Sequence, residues 1–480
     1  MIRLPGNSEK VEENSQESFE ERLKAGKALR KEVSRCLQSE WKTPRHGVDP
    51  MAILEDSNKA RIPELIPVRH KRMSQSPFTF FRGIAALMAA DLASTPSTGL
   101  KVQACGDCHL LNFGAFATPE RNMIFDINDF DETIPAPWEW DLKRLAVSAV
   151  LAGRQIRLRK DVILEATRSL VQSYRVRMRE LGKLGALEVW YTKILSQDIT
   201  RVLRRKSRRK LFEQRIERAK SRNSEFLFPK LTEVKNGKTR IVDNPPDMYH
   251  PDNFKNFEHE IDQFFDEYYQ SLNPELHVLL DRYRLVDVAL KVVGIGSVGT
   301  RCAVALLEGE NGEPLFLQFK EARHSVLEKY AGMKSSFPNK GQRVVVGQRL
   351  MQSASDIFLG WNSHRATLDF YFRQLRDAKI SINLQNLTEE EFIQYLSFCG
   401  RCLAQAHARS GDPVKIAGYM GKSTVFEKSI ADFALAYADQ TERDYSLFLK
   451  ALSSGQLSAN MDHSPIHVFE KEIGRSETSI

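Results

Sequence analysis

Gly106-Asp107-Cys108-His109-Leu110-Leu111-Asn112-Phe113-Gly114, running on to Phe125-Asp126-Ile127-Asn128-Asp129-Phe130-Asp131-Glu132, is the stretch around which this 480-residue chain is organised. A carboxylate at Asp107 and a carboxamide at Asn112 are followed by an acid cluster that closes an apolar run. These parts suffice to place a phosphoryl group. One acid accepts or orients a hydroxyl proton, while an Asn and a later Asp hold divalent metal on nucleotide phosphates. The plain alternative is that Asp107 and Asn112 cap backbone groups in a turn, the commonest use of Asp and Asn in loops.

Moving outward, Ala117-Thr118-Pro119-Glu120-Arg121-Asn122 reads as the turn of a β-hairpin joining the two halves of the stretch. Asp141 follows Asp129 by 12 residues, and Asp141-Leu142 opens a helix with apolar positions at Leu142, Leu145, Ala146, Ala149 and Val150. Gly106-Asp107-x-His109-x-x-Asn112 resembles the catalytic loop of aminoglycoside and choline kinase-like phosphotransferases, a branch of the protein-kinase superfamily. With Arg82-Gly83, Asn128-Asp129-Phe130-Asp131-Glu132 and Trp140-Asp141-Leu142, the wider pattern resembles the bacterial domain of unknown function family 2252 over most of the chain. The kinase-like resemblance implies that Asp107 and Asn112, with His109 between them, are catalytic, and that Asn112 and Asp129 are Mg²⁺ ligands. Asp126 takes the metal role if the hairpin is shorter, and Asp141 braces the loop. Asp131 and Glu132 read equally well as solvated loop acids.

Far downstream, Val292-Val293-Gly294-Ile295-Gly296-Ser297-Val298-Gly299-Thr300 precedes an alternating run, a turn at Asn311-Gly312-Glu313-Pro314, and a second run ending at Lys320. Glycines at 294, 296 and 299, with Ser297 among them, let backbone N–H groups approach a phosphate. A G-x-G-x-x-G alone is weak, since glycine within strands also marks bulges. A Rossmann reading fails because a strand pattern, not a helix, follows the glycines. A lysine at the end of the next strand is where a kinase-like fold sets the cation that reaches ATP phosphates. The resemblance then makes Glu328, eight residues on, the acid that pairs with Lys320.

The order of these parts is reversed, because kinase-like chains place the glycine loop and lysine before the catalytic loop. A circular permutation reconciles them. Leu403-Ala404-Gln405-Ala406-His407 resembles the helix end that directly precedes the catalytic loop in the aminoglycoside branch, and permutation is tolerated where termini lie close at a surface.

Hydrophobic residues at 42% and charged residues at 28% are ordinary for a globular chain, and the length calls for two lobes or more. No run reaches the ~18 apolar residues of a membrane span, and Met1 to Glu20 carries no secretory signal. Six cysteines give no disulfide framework, which favours the cytoplasm. Cys105/Cys108 and Cys399/Cys402 offer two C-x-x-C pairs for zinc, though buried cysteine is more often a small hydrophobe. Residues 201–222 hold eleven Lys and Arg against Glu213 and Glu217, a local +9. The rest of the +8 chain therefore sums to −1. This helix is either a solvated face or a site for an anionic partner.

The remaining landmarks are a hairpin turn at Asn236-Gly237 after short strands beginning at Phe226, and helices over Phe254–Leu272 and Glu275–Tyr283. Strand-like runs occur at Ile357–Leu359 and Leu368–Leu375, with Phe370-Tyr371-Phe372 as an edge against which adenine would lie. A capping box sits at Thr388/Glu391.

The expected fold is α+β: a two-lobed, circularly permuted kinase-like chain. It divides into a charged helical segment (1–75), a catalytic-loop part with the basic insertion (76–285), a glycine-loop β lobe (286–385) and helices completing the larger lobe (386–480). The expected function is ATP- and Mg²⁺-dependent transfer to an unidentified acceptor hydroxyl. Nucleotidyl (AMP) transfer, a nucleotide-binding pseudokinase and a zinc-containing nucleic-acid module are the alternatives, and oligomeric state is left open.

Overall fold

Apolar runs over 283–291, 302–309 and 314–322, separated by the glycine segment and by the turn at Asn311-Gly312, pair as antiparallel strands of a large sheet, and 3.6-residue periodicity elsewhere produces the helices that pack beside it. The computed structural model describes residues 17–41, 49–202, 206–221, 224–250, 258–364, 368–375 and 378–459. Its strands begin with β1 (Lys101–Ala104), β2 (Phe113–Ala117), β3 (Met123–Ile127), β4 (Ile134–Pro137), β5 (Thr232–Lys235), β6 (Lys238–Ile241) and β7 (Met248–Tyr249). They continue with β8 (Tyr283–Lys291), β9 (Cys302–Gly309), β10 (Pro314–Ala322), β11 (Gly360–His364), β12 (Leu368–Gln374) and β13 (Ile380–Ser381). The fold is mixed α+β and helix-rich.

The large sheet runs β11-β12-β10-β9-β8-β7 with antiparallel neighbours throughout. Alternation along β10 sends Leu315, Leu317 and Phe319 to the face covered by the helix Glu258–Gln270, where Tyr268 stacks on Phe372 at 4.0 Å. Phe316 packs on the opposite face with Val304 and Leu306, and Gln318 and Lys320 share its register. The sheet and its covering helix thus draw on residues well before 286.

The larger core is helical, built from Trp138–Gln155, Lys160–Leu181, Glu389–Ser410 and Val425–Ser453. Trp138 stacks on Tyr174 at 5.8 Å. Helices Lys160–Leu181 and Glu389–Ser410 approach so closely that a Cβ on Gly400 would stand 2.1 Å from the Leu170 carbonyl oxygen. The small sheet β13-β2-β3 and the pair β1-β4 lie where this helical body meets the large sheet, and they carry the acid-rich stretch.

The hairpin around Asn236-Gly237, the β2–β3 hairpin and the Thr388/Glu391 capping box all form. Other elements differ from expectation. Residues 357–359 form a turn that buries Phe358 and Leu359, and the strand starts at Gly360. Phe370-Tyr371-Phe372 is internal, flanked by β10 and β11, so it is no edge. Ser224–Leu231 is helical, and Tyr283 opens β8 instead of ending a helix. Among the described residues, no helix is long and apolar enough to cross a membrane.

Candidate functional site

Asp141, in the first turn of the helix Trp138–Gln155, accepts hydrogen bonds from the N–H groups of Cys105 (2.7 Å) and Gly106 (3.0 Å). His407 Nε2 stands 3.2 Å from the same carboxylate, and its Nδ1 is 2.9 Å from the Tyr174 hydroxyl. The chain turns sharply at Gly106, where φ is +83° and a Cβ would meet the Glu132 carbonyl oxygen at 2.5 Å.

This turn presents Asp107. Arg144, one helical turn beyond Asp141, holds Asp107 Oδ1 with Nε at 2.8 Å and Nη2 at 2.5 Å. The other oxygen, Oδ2, lies 3.8 Å from His109 Nε2 and faces the glycine loop, 3.9 Å from the position of a Cβ on Gly296. Asn112 Nδ2 donates to the Asp107 carbonyl oxygen at 2.7 Å, which fixes the amide with Oδ1 on its other side. His109 is buried, and burial together with Arg82 and Arg144 pushes its imidazole well below the usual range, so it is neutral. Its edge-to-face contact with Phe78, at 6.5 Å, makes it a wall of the site.

On the acid hairpin, alternate residues part company. Asp126 points inward and accepts from Ser353 N (2.8 Å), Ser353 Oγ (2.7 Å) and Ile127 N (2.9 Å), with Cys402 Sγ at 3.3 Å. It braces the hairpin, and this sealing removes it as the alternative metal ligand. Asp129 opens on the cleft. Burial and the neighbouring Asp131 charge push its carboxyl up, against the opposing pull of Lys320 and Arg373.

Asp131 is the residue that meets Lys320, with Nζ–Oδ2 at 2.8 Å, Ser297 Oγ at 3.1 Å and Tyr371 OH at 2.5 Å. Burial works against its charge, but Lys320 and Tyr371 prevail and hold it at about 2. Lys320 is correspondingly raised, its own burial outweighed by Asp131. The expected Lys320–Glu328 pair does not form. Glu328 sits in the short helix Glu328–Ala331 and accepts from His324 Nδ1 (3.0 Å) and Ser325 N (3.3 Å). Arg343, on the helix Lys340–Met351, donates instead to the carbonyls of Asp131, Thr133 and Arg323, tying hairpin to sheet.

The glycine segment links β8 to β9, with φ of +66° at Gly294 and +87° at Gly299. Its carbonyls are fastened from outside. Arg72 Nη1 donates to Gly294 O at 2.8 Å, Arg61 Nη1 to Val298 O at 2.6 Å, and Ile62 N to Gly299 O at 2.8 Å.

Two cavities flank this loop. One, of about 630 Å³, is lined by Lys291, Val293, Gln318, Lys320, Arg373 and Leu375 among others. The other, of about 550 Å³, holds Asp107, His109, Asn112, Arg61, Arg82 and Asp131. Asp129, Gly294 and Ser297 line both, so the cavities meet there. Asp107, Asn112, Asp129, Gly294, Gly296, Ser297 and Lys320 are therefore neighbours, Gly299 anchors the loop from behind, and Glu328 lines neither cavity.

Sequence reasoning missed Arg144, Arg61 and Arg72, gave Tyr371 only a place on an edge strand, and left Asp131 open between a metal-binding and a loop acid. Arg144 alone carried a signal, lying i+3 from Asp141 on one helix. The four thiols do not assemble as a zinc site. Among the described residues the grouping found is Cys105, Cys108 and Asp141, and burial pushes both thiols up. Cys402 turns toward Asp126. The basic helix Lys206–Lys220 docks on the β2–β3 hairpin through Ile216 and Ala219, with an outward ion pair at Lys220–Glu217 (2.8 Å). Residues 203–205 and 222 of that segment lie outside the described residues.

No curated protein and no solved structure matches the chain. The family described as an uncharacterized protein conserved in bacteria (DUF2252) matches residues 61–451, which include Asp107, Asn112, Asp129, the glycine segment and Lys320, and the chain belongs to that family.

Proposed function

We propose that the protein is an ATP- and Mg²⁺-dependent phosphotransferase with a circularly permuted, kinase-like arrangement, acting on a hydroxyl-bearing acceptor. The supporting observation is the meeting of two cavities at Asp129, Gly294 and Ser297, with Lys320 on one side and Asp107 on the other. The larger cavity suits a nucleotide, with Lys291, Lys320 and Arg373 supplying positive charge for a polyphosphate. Its counterpart suits an acceptor.

The residues present fit a divalent cation. Asp129 carries a carboxylate whose charge is opposed by burial and by Asp131, and Asn112 has its amide oxygen directed away from the Asp107 carbonyl. Bound Mg²⁺ would neutralise phosphate charge there. The chain's own contribution is positional. Arg144 occupies Asp107 Oδ1, so Oδ2 is the oxygen that receives or orients the acceptor hydroxyl proton. The acceptor oxygen then forms its bond to the terminal phosphorus as the bridging P–O bond to ADP breaks, and Lys320 steadies the departing charge.

The test is Mg²⁺-dependent ATP turnover with product analysis for wild type and Asp107→Asn. Loss of about 10²-fold or more in turnover with nucleotide binding retained is expected. Turnover that ignores the substitution, or no nucleotide binding at all, overturns the reading. AMP in place of phosphate on the product would redirect it to nucleotidyl transfer.

A further inference from the structure

Arg82 is a cation that the transfer chemistry leaves unused. It ends the helix Pro77–Gly83 and lines the smaller cavity but not the larger one. Among the described residues its side chain makes no hydrogen bond, and its Nε is buried without a partner. Its guanidinium carbon lies 5.8 Å from the Phe78 ring centre, a support that orients the plane. Asp107 and Asp129 attract it through space, and the nearby-in-sequence carboxylate of Asp91 is bonded by the Tyr437 hydroxyl at 2.6 Å.

Three other cations of the cleft are engaged by partners of their own. Arg144 is taken by Asp107 and Lys320 by Asp131, and Arg343 by carbonyl oxygens. Arg61 stands beside the same cavity with Nε on the Ser57 carbonyl and Nη1 on the Val298 carbonyl, and among the described residues it has no carboxylate at ion-pair distance. A partly buried, unbonded guanidinium is costly unless an anion arrives to meet it. Planar, forked donors favour phosphate.

We propose that the acceptor already carries a phosphate group, seated on Arg82, with Arg61 lining the same cavity, so that a second hydroxyl of the same small molecule is presented to Asp107. This rests on the phosphotransferase reading and names its substrate class: a phosphorylated, hydroxylated small molecule of a size that about 550 Å³ admits. Because Arg61 and Arg82 line the acceptor cavity alone, they are assigned to the acceptor and not to the nucleotide.

The experiment uses the full chain saturated with Mg²⁺ and a non-hydrolysable ATP analogue, titrated with inorganic phosphate by calorimetry. Phosphate is expected to bind the loaded protein, and Arg82→Gln to weaken it by about tenfold to a hundredfold. Arg82→Lys should recover part of that loss, with analogue affinity unchanged within about twofold. Absence of phosphate binding by a protein that still binds the analogue, or indifference to Arg82→Gln, overturns this inference and leaves the phosphotransferase reading standing. Equal weakening of analogue and phosphate by Arg82→Gln also overturns it, by assigning Arg82 to the nucleotide. Failure to bind the analogue at all sinks the reading beneath it.

Discussion

Replacing Lys320 with Met removes one half of a tight ion pair and separates two roles of the lysine. At 2.8 Å and an effective dielectric constant near 20, the gross attraction to Asp131 is about 6 kcal/mol. Desolvation offsets much of it, and Asp131 keeps 30% of its side chain exposed while Lys320 keeps 4%. The net cost of breaking the pair therefore falls below the ~3–5 kcal/mol typical of fully buried pairs, at about 2–3 kcal/mol. Asp131→Asn strands the more buried partner and should cost at least as much. The double variant Lys320→Met/Asp131→Asn removes both charges and should return to within about 1 kcal/mol of wild type in urea unfolding. Nucleotide affinity should behave differently, falling about tenfold or more in Lys320→Met and staying low in the double variant. Strict additivity of the two unfolding free energies would show that the pair is not an interacting unit. Wild-type nucleotide binding by the double variant would remove Lys320 from the phosphate site.

Three further outcomes are expected. Burial holds the Glu132 carboxyl up at about 7, although Val326 N–H, at 2.7 Å, and Arg343 favour its charge. The native state then binds an extra proton between about 4.5 and 7, so stability falls as pH rises through that window, and Glu132→Gln should flatten the slope in thermal unfolding followed against pH. Gly299→Ala combines a φ of +87° with a Cβ at 2.9 Å from that of Arg61 and should cost about 1–3 kcal/mol, whereas Gly237→Ala, at +74° with open space around it, should cost about 1 kcal/mol. Chemical denaturation of the two side by side measures the difference. Asp141→Asn turns an amide donor toward one of two backbone N–H groups and should destabilise by about 2–4 kcal/mol while lowering turnover more than nucleotide binding.

Local patterns carried much of the fold: the β2–β3 hairpin, the glycine segment between two strands and the Thr388 cap all rest on contacts within a few residues. What stayed hidden depended on remote geometry. Two acids two residues apart, Asp129 and Asp131, present nearly the same sequence signal, and only the register of Lys320 opposite Tyr371 selects Asp131 as the lysine's partner. Glu328 looked plausible by order alone, yet the chain after β10 folds back on His324. Gly360-Trp361-Asn362-Ser363-His364 has no alternating apolar pattern and becomes a strand because β12 offers it a ladder. Conversely, the apolar triplet Ile357–Leu359 fills a turn.

The fastening of the glycine segment by Arg61 and Arg72 has a thermodynamic corollary. These arginines follow or belong to the helices Pro50–Asn58 and Ile66–Met73, so the loop's order is borrowed from a part of the chain that lies outside the larger cavity. Opening fluctuations of residues 50–73 and vacancy of the loop then belong to one linked equilibrium. A ligand gripping the loop should slow amide hydrogen exchange across those helices, and loosening them by substitution should weaken that ligand to the same degree.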